Sequence, residues 1–276
     1  MTELLHAELT YQLRGLGFRI HNELRGGHEE AVYETALAYA MAAADIPFVQ
    51  QPVFRIDYRN QQVGEYRPDF LVNERKVLLE LKAAPVIEAL HKAQAISYLA
   101  VTGADLGLIM NFGAPSMQFE RIPNFLGQRV MEVGTSPISG GDDLLYPDLC
   151  NGVVNAMMHV HSSLGPGFLH QVYRRAARIE LEYRMIRHAY VKELPLRYDG
   201  HVIKMMPVRI FLIEEKLLLA TVAMQTVSPA EEERLRWAMR LVGVQLGLIA
   251  NFYGTTLTMR FVRVKEKTTT DLERNG

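Results

Sequence analysis

Asp69, Glu80, Leu81 and Lys82 together carry the groups that phosphate chemistry needs. Glu80 and Lys82 lie two residues apart in "RKVLLELKA" (75–83), a run apolar enough to be a buried strand. Successive side chains of a strand alternate between faces, so Glu80 and Lys82 project together while Leu79 and Leu81 project the other way. Asp69, in "YRPDF" on the strand expected before it, adds a second carboxylate. Two carboxylates and the Leu81 carbonyl supply hard oxygen ligands suited to Mg²⁺ or Mn²⁺. A cation held there binds a phosphate oxygen and lowers the pKa of a bound water, making a nucleophile at neutral pH. Lys82 is placed to hold that water and to offset charge developing on the phosphate. Burial lowers a lysine pKa and nearby carboxylates raise it, and the sequence does not rank the two. The ordinary alternative is a half-buried strand whose charged face meets solvent.

Further residues are spaced to join this set. Glu30 has Tyr33 and Glu34 three and four residues on, along one helical face, so it adds a metal ligand or is an N-terminal acid favoured by the helix dipole. Gln94 and Tyr98 share a face of another expected helix, beside the site or as an interfacial polar stripe. Arg174 and Arg178 share one helical face, and Arg234, Arg236 and Arg240 lie near another; these offer a nucleic-acid backbone a binding surface, or are a solvated face. The elements that must position these groups read as helix, helix, strands, helix, strands. Residues 3–24 and 29–44 carry apolar residues at helical spacing, and 53–72 reads as two strands about a turn near Asn60. Residues 86–103 form a helix closed by Gly103, and "LGLIMNF" (106–112) a buried strand. A helix between "KVLLELKA" and "LGLIMNF" permits a parallel crossover, hence a mixed α/β domain with a central sheet.

The chain contains this pattern twice. Adding 140 to a residue number in the first half lands on its counterpart: "GADLGLIMNF" (103–112) faces "GVQLGLIANF" (243–252), and "GHEEAVYETA" (27–36) faces "GFLHQVYRRA" (167–176). Over 27–113 there are 18 identities without a gap, enough to read two copies of one domain. The expected boundaries are 1–125, a linker over 126–146, a second copy over 147–264 and a polar tail over 265–276. The repeat serves as an internal control. Glu80, Lys82, Asp69, Glu30, Gln94 and Tyr98 face Ala220, Val222, Arg209, His170, Arg234 and Ala238. The fold therefore does not need the first copy's charges. Burying a charge without compensation is costly, so correlated loss of one site explains the change better than drift of independent surface residues. His21 and His161 persist in both copies and read as structural.

Composition sets the class. The chain has 276 residues, 49% apolar and 22% charged, as soluble globular proteins do. Apolar runs stop short of a membrane span and the N-terminus has no basic region, so a cytoplasmic protein with no membrane partner is expected. One cysteine, Cys150, excludes an intramolecular disulfide framework. The net charge of −1 conceals an asymmetry of −4 over residues 1–125 and +5 over 147–264. There is no phosphate-binding G-x-x-x-x-G-K-[ST] loop, no G-x-S-x-G elbow and no dinucleotide fingerprint.

Asp69 followed by "ELK" (80–82) resembles the D…(D/E)xK pattern of the restriction-endonuclease-like nuclease superfamily. "IHNELRGGHEEAVYETAL" (20–37) resembles the GxxExxY protein family through Gly27, Glu30 and Tyr33, and the later segments of the first half follow that family in order and spacing. "QAISY" (94–98) is similar to the Q-x-x-x-Y motif of RecB-like exonucleases. The resemblance implies an α/β fold of two tandem restriction-endonuclease-like domains, each a mixed central β-sheet flanked by helices. It implies a nuclease using Mg²⁺ or Mn²⁺, with Glu30, Asp69, Glu80 and Lys82 as the site, Gln94 and Tyr98 supporting it or touching nucleic acid, and DNA ahead of RNA as partner. The second half keeps the family-like turn "VHSSLGPGFLHQVY" (160–173) yet lacks every charged site residue, so it resembles a dead copy packed on the first as a pseudo-dimer. The competing reading is a non-enzymatic nucleic-acid or protein binding module with a relic site.

Overall fold

Alternating helical and strand periodicities build each half the same way. The computed structural model describes residues 4–124 and 145–264; the expected tail lies outside the described residues, as does the expected linker apart from Leu145 and Tyr146. Two compact units result. The first opens with α1 (Ala7–Leu24) and α2 (Glu30–Ala43). Their buried residues Leu13, Gly17, Ile20, Tyr33, Leu37 and Met41 recur at helical spacing, and they cover one face of a five-stranded sheet. The strands are β1 (Phe48–Gln50), β4 (Phe70–Val72), β5 (Val77–Lys82), β6 (Leu106–Asn111) and β7 (Gln118–Pro123), hydrogen-bonded in that order. Only β5 and β6 run parallel, joined by α3 (Ala89–Thr102). Gly103 ends α3 in the left-handed region (φ 67), where a glycine carries no side-chain penalty. Leu79 and Leu81 face the core under α1 and α2, as strand alternation requires.

The second unit repeats the frame at an offset of 140: α4 (Pro147–Leu164), α5 (His170–Tyr183), β10 (Leu217–Val222), α6 (Pro229–Val242), β11 (Leu246–Asn251) and β12 (Thr258–Arg263). Its sheet has the matching order, with β10 and β11 parallel. What the copies share is scaffold. His21 Nε2 meets the Ala114 carbonyl at 3.0 Å and His161 Nε2 meets that of Gly254 at 2.9 Å. Tyr33 stacks on Phe112, with centroids 4.6 Å apart, and Tyr173 on Phe252 at 4.5 Å. Asn111 brackets Ala84 through its side-chain amide, and Asn251 brackets Met224.

The copies differ at the strands before the site. In the second unit β8 (His188–Tyr198) and β9 (His201–Ile213) form one long hairpin. In the first, the 53–72 segment holds three strands where the sequence reading has two: β2 (Phe54–Tyr58) and β3 (Gln61–Tyr66) make a separate two-stranded sheet, and β4 returns to the main one. The expected turn at Asn60 is present, with Arg59 and Asn60 both at positive φ. Pro52 and Pro68 stand at the two interruptions, facing Lys192 and Val208; neither can donate to a ladder, although the undivided second hairpin carries Pro195 within β8 and Pro207 within β9. Two helix starts also move inward, to Ala7 from residue 3 and to Ala89 from residue 86.

Candidate active site

β5 is buried on both faces, so the solvated-face reading of its charges fails: Glu80 is 2% exposed. Glu80 and Lys82 do project together, and Lys82 Nζ donates to Glu80 Oε1 at 2.9 Å and to the Leu81 carbonyl at 2.6 Å. Glu30, at the start of α2 and partly exposed, sits 3.7 Å from the same ammonium. Asp69 immediately precedes β4, and its Oδ2 accepts a hydrogen bond from the Leu81 N–H at 2.6 Å. The break at Pro68 is what leaves Asp69 at the head of a strand beside Glu80. Three of the groups expected to hold a cation, Glu80 Oε1, the Leu81 carbonyl and Glu30, thus surround the lysine ammonium.

The electrostatics follow from this crowding. Burial, reinforced by Asp69 and then Glu30, pushes Glu80 up to about 8, against the pull of Lys82. Burial likewise raises Asp69 to about 6, opposed by the Leu81 N–H and Lys82 and assisted by Glu30 and Glu34. For Lys82 burial lowers the pKa, but Glu80, Glu30 and Asp69 together outweigh it and the ammonium is held above its ordinary value. The structure thereby ranks the two effects that the sequence left open. Burial beside a second carboxylate is the dominant cause for Glu80 and raises its pKa, while the neighbouring carboxylates keep the Lys82 ammonium charged.

Helix α3 supplies the remaining wall. Gln94 Nε2 donates to the Tyr98 hydroxyl at 2.8 Å, and Tyr98 meets the Tyr66 ring edge-on at 5.4 Å. Burial, with Glu80 next in weight, pushes the Tyr98 phenol up to about 12, which puts this side chain within the field of the site. One residue of weight escaped sequence reasoning. Glu34 is buried, its carboxylate held by Gln50 and Gln51 side-chain amides at 2.8 to 3.0 Å, and it acts on Asp69. Its signal was present in the repeat, where Arg174 reverses its charge.

A model of the PD-(D/E)XK nuclease superfamily matches residues 7–122 and, separately, residues 147–264. The chain belongs to the PD-(D/E)XK nuclease superfamily. Among solved structures it is similar to the crystal structure of SSO0001, at 12% identity over 44% of this chain and 79% of that one, with a TM-score of 0.25. No curated protein matches it. No helix among the described residues is long and apolar enough to cross a membrane.

PD-(D/E)XK nucleases use divalent metal ions, and the donor set here fits one. Among the described residues Glu80 Oε2 is buried with no hydrogen-bond partner, an orphaned polar atom at the centre of the site. The lysine ammonium already rests against the same oxygens that would bind a divalent cation. Among the described residues no three His, Cys, Asp or Glu side chains converge in a metal-binding group. Asp69 and Glu80 meet the Leu81 backbone and Lys82 here, with Glu30 turned to Lys82. The arginines of the second unit are divided. Arg178 faces Glu182 at 3.6 Å, and Arg236 and Arg240 pair with Glu232 and Glu233 on their own helix, whereas Arg174 and Arg234 line a shared pocket.

Proposed function

We infer that the first unit is a divalent-metal-dependent nuclease centre of the GxxExxY type that hydrolyses phosphodiester bonds of nucleic acid, DNA ahead of RNA, and that the second unit is its catalytically inert partner in a cytoplasmic protein. The observation that carries this reading is the orphaned, nine-tenths-buried Glu80 carboxylate beside Asp69 and Lys82. Nothing in the folding of β5 requires it, since β10 places Ala220 and Val222 at the same positions. Asp69, Glu80 and the Leu81 carbonyl would hold the ion. Bound there, Mg²⁺ or Mn²⁺ supplies Lewis-acid stabilisation of phosphate charge and a water of lowered pKa.

The chain's own residues do the rest. Asp69 is oriented by the Leu81 N–H, so its carboxylate is fixed before substrate arrives. Lys82 brings a charged ammonium to the place where the phosphate gains negative charge, and its raised pKa keeps it a donor at neutral pH. Glu30 holds that ammonium from the solvent side. Tyr98, kept neutral by its raised pKa and tied to Gln94, offers a hydroxyl and an amide to a strand's backbone along α3.

The deciding experiment is cleavage of single- and double-stranded DNA and RNA at low salt with Mn²⁺ or Mg²⁺, comparing wild type with Lys82→Ala and Asp69→Ala. Metal-dependent cutting that falls by about 10²-fold or more in both variants is expected, the usual scale for losing an electrostatic contact at a reacting phosphate. No cutting, or equal cutting by the variants, would return the chain to the reading of a binding module with a relic site.

A further inference from the structure

The second unit holds a pocket of about 340 Å³ walled by the start of α5, by β9, by the C-terminal end of β10 and by α6. All six counterparts, at the offset of 140, of the first unit's site residues line it: His170, Arg209, Ala220, Val222, Arg234 and Ala238. A site has been emptied of its chemistry without being filled in. Ala220 and Ala238 leave open the room that Glu80 and Tyr98 take up in the first unit.

The charge has also been turned over. Glu34, Asp69 and Gln94 are answered by Arg174, Arg209 and Arg234, all on the pocket wall. Three guanidinium groups face one carboxylate, Glu231, where the first unit sets four carboxylates against one ammonium. Neither Arg174 nor Arg209 has a carboxylate partner among the described residues, and Arg234 is tied only to the Pro207 carbonyl. Burial, with Arg209 and Arg175 against the opposing Tyr190, lowers the Arg174 pKa; burial, Arg174 and Arg209 lower that of His170. Among the described residues, positive charge is therefore held together on a pocket wall that carries a single carboxylate, Glu231. Arg209 sits at φ 53, in the left-handed region that residues with a side chain rarely adopt, next to an irregularity in the β8–β9 pairing.

We propose that this pocket is a phosphate-binding site, taking a phosphate of a nucleic-acid strand or of a free nucleotide. Guanidinium groups present rigid forks of N–H donors that match phosphate oxygens, and three converging on one pocket suit a doubly charged group. The volume admits one nucleotide-sized ligand. The site needs no metal and no cutting by the first unit, so it stands apart from the nuclease reading.

The test is binding to the full chain in EDTA, with inorganic phosphate, adenosine 5′-monophosphate and a short fluorescent single-stranded DNA as probes. Wild type is expected to bind at least one phosphate-bearing probe, and Arg174→Gln/Arg209→Gln to bind it at least about tenfold more weakly. Arg187→Gln, an exposed arginine paired with Glu214 at 3.3 Å, is expected to leave binding unchanged. Tighter binding of the mononucleotide assigns the pocket to free nucleotides, and tighter binding of the strand assigns it to nucleic-acid backbone. Should the double variant fail to fold, Ala220→Glu keeps every arginine and puts a carboxylate into the pocket, as Glu80 is in the first unit, and is expected to abolish binding. No binding by wild type, or binding indifferent to these substitutions, overturns the proposal.

Discussion

A carboxylate as buried as Glu80, beside a second one, must show itself in the pH dependence of stability. Its folded pKa of about 8 lies above the ordinary 4.5, so the folded state holds the proton more tightly than the unfolded chain. The stability that proton contributes is complete below the ordinary value and is lost as pH rises through the folded one. Asp69 acts in the same direction over a lower window, from 3.8 to about 6. In metal-free urea unfolding, Glu80→Gln is expected to gain on wild type as pH rises from about 5 to about 8, by on the order of a few kcal/mol. Parallel pH profiles would show that Glu80 ionises freely and is not desolvated. Mg²⁺ or Mn²⁺ is expected to restore wild type and not the variant, because binding to the ionised carboxylate adds its own free energy to folding. Asp69, Glu80 and Lys82 were legible in the sequence because strand alternation and the internal repeat both single them out. Glu34 also changes charge in the repeat, to Arg174, but its weight comes from burial against Gln50 and Gln51, which no local pattern announces.

At the scale of elements, the position of the site depends on how β5 and β6 end. Phe112 N–H donates to the Lys82 carbonyl at 2.7 Å, and Asn111 brackets Ala84, so the chain leaving β5 is held against the chain leaving β6. Gly113 lies in that contact. A Cβ added there would stand 2.5 Å from the Ala83 carbonyl carbon and the Ala84 nitrogen, both backbone atoms that no side-chain rotation can clear. Gly113→Ala is expected to destabilise the protein by about 1–3 kcal/mol, and to reduce cleavage by displacing Lys82 without altering any site residue. Unchanged unfolding midpoint and activity would show that the segment gives way without disturbing β5. The broken hairpin was the element that sequence reading missed. Period-two alternation continues through 53–72, so the pattern reads as two strands; Pro52 and Pro68 stand at the breaks, and a missing N–H acts on pairing rather than on periodicity.

Across the whole molecule the charge asymmetry acquires a location. The excess of basic residues over 147–264 is partly spent on helix surfaces, where Arg178, Arg236 and Arg240 face glutamates. Such exposed pairs contribute little and leave little charge for a ligand. Arg174, Arg209 and Arg234 are the part of the excess gathered into one pocket. If that pocket engages a strand, the logarithm of its affinity for single-stranded DNA falls linearly with the logarithm of salt, and Arg174→Gln/Arg209→Gln is expected to make that slope shallower by about one unit or more. An unchanged slope would place the backbone contacts elsewhere.

The sequence by itself determined the duplication, the α/β frame, the superfamily pattern and the residues that distinguish one copy from the other, because these rest on periodicity, on a fixed offset of 140 and on residue type. It also marked His21 and His161 as structural, since a group needed for folding persists in both copies. Tertiary structure alone decided that Glu80 is buried and half-unpartnered, that Lys82 stays charged among carboxylates, and that the second copy's substitutions line an open cationic pocket. Those are properties of distance and desolvation between elements far apart in the chain, and a linear sequence records neither.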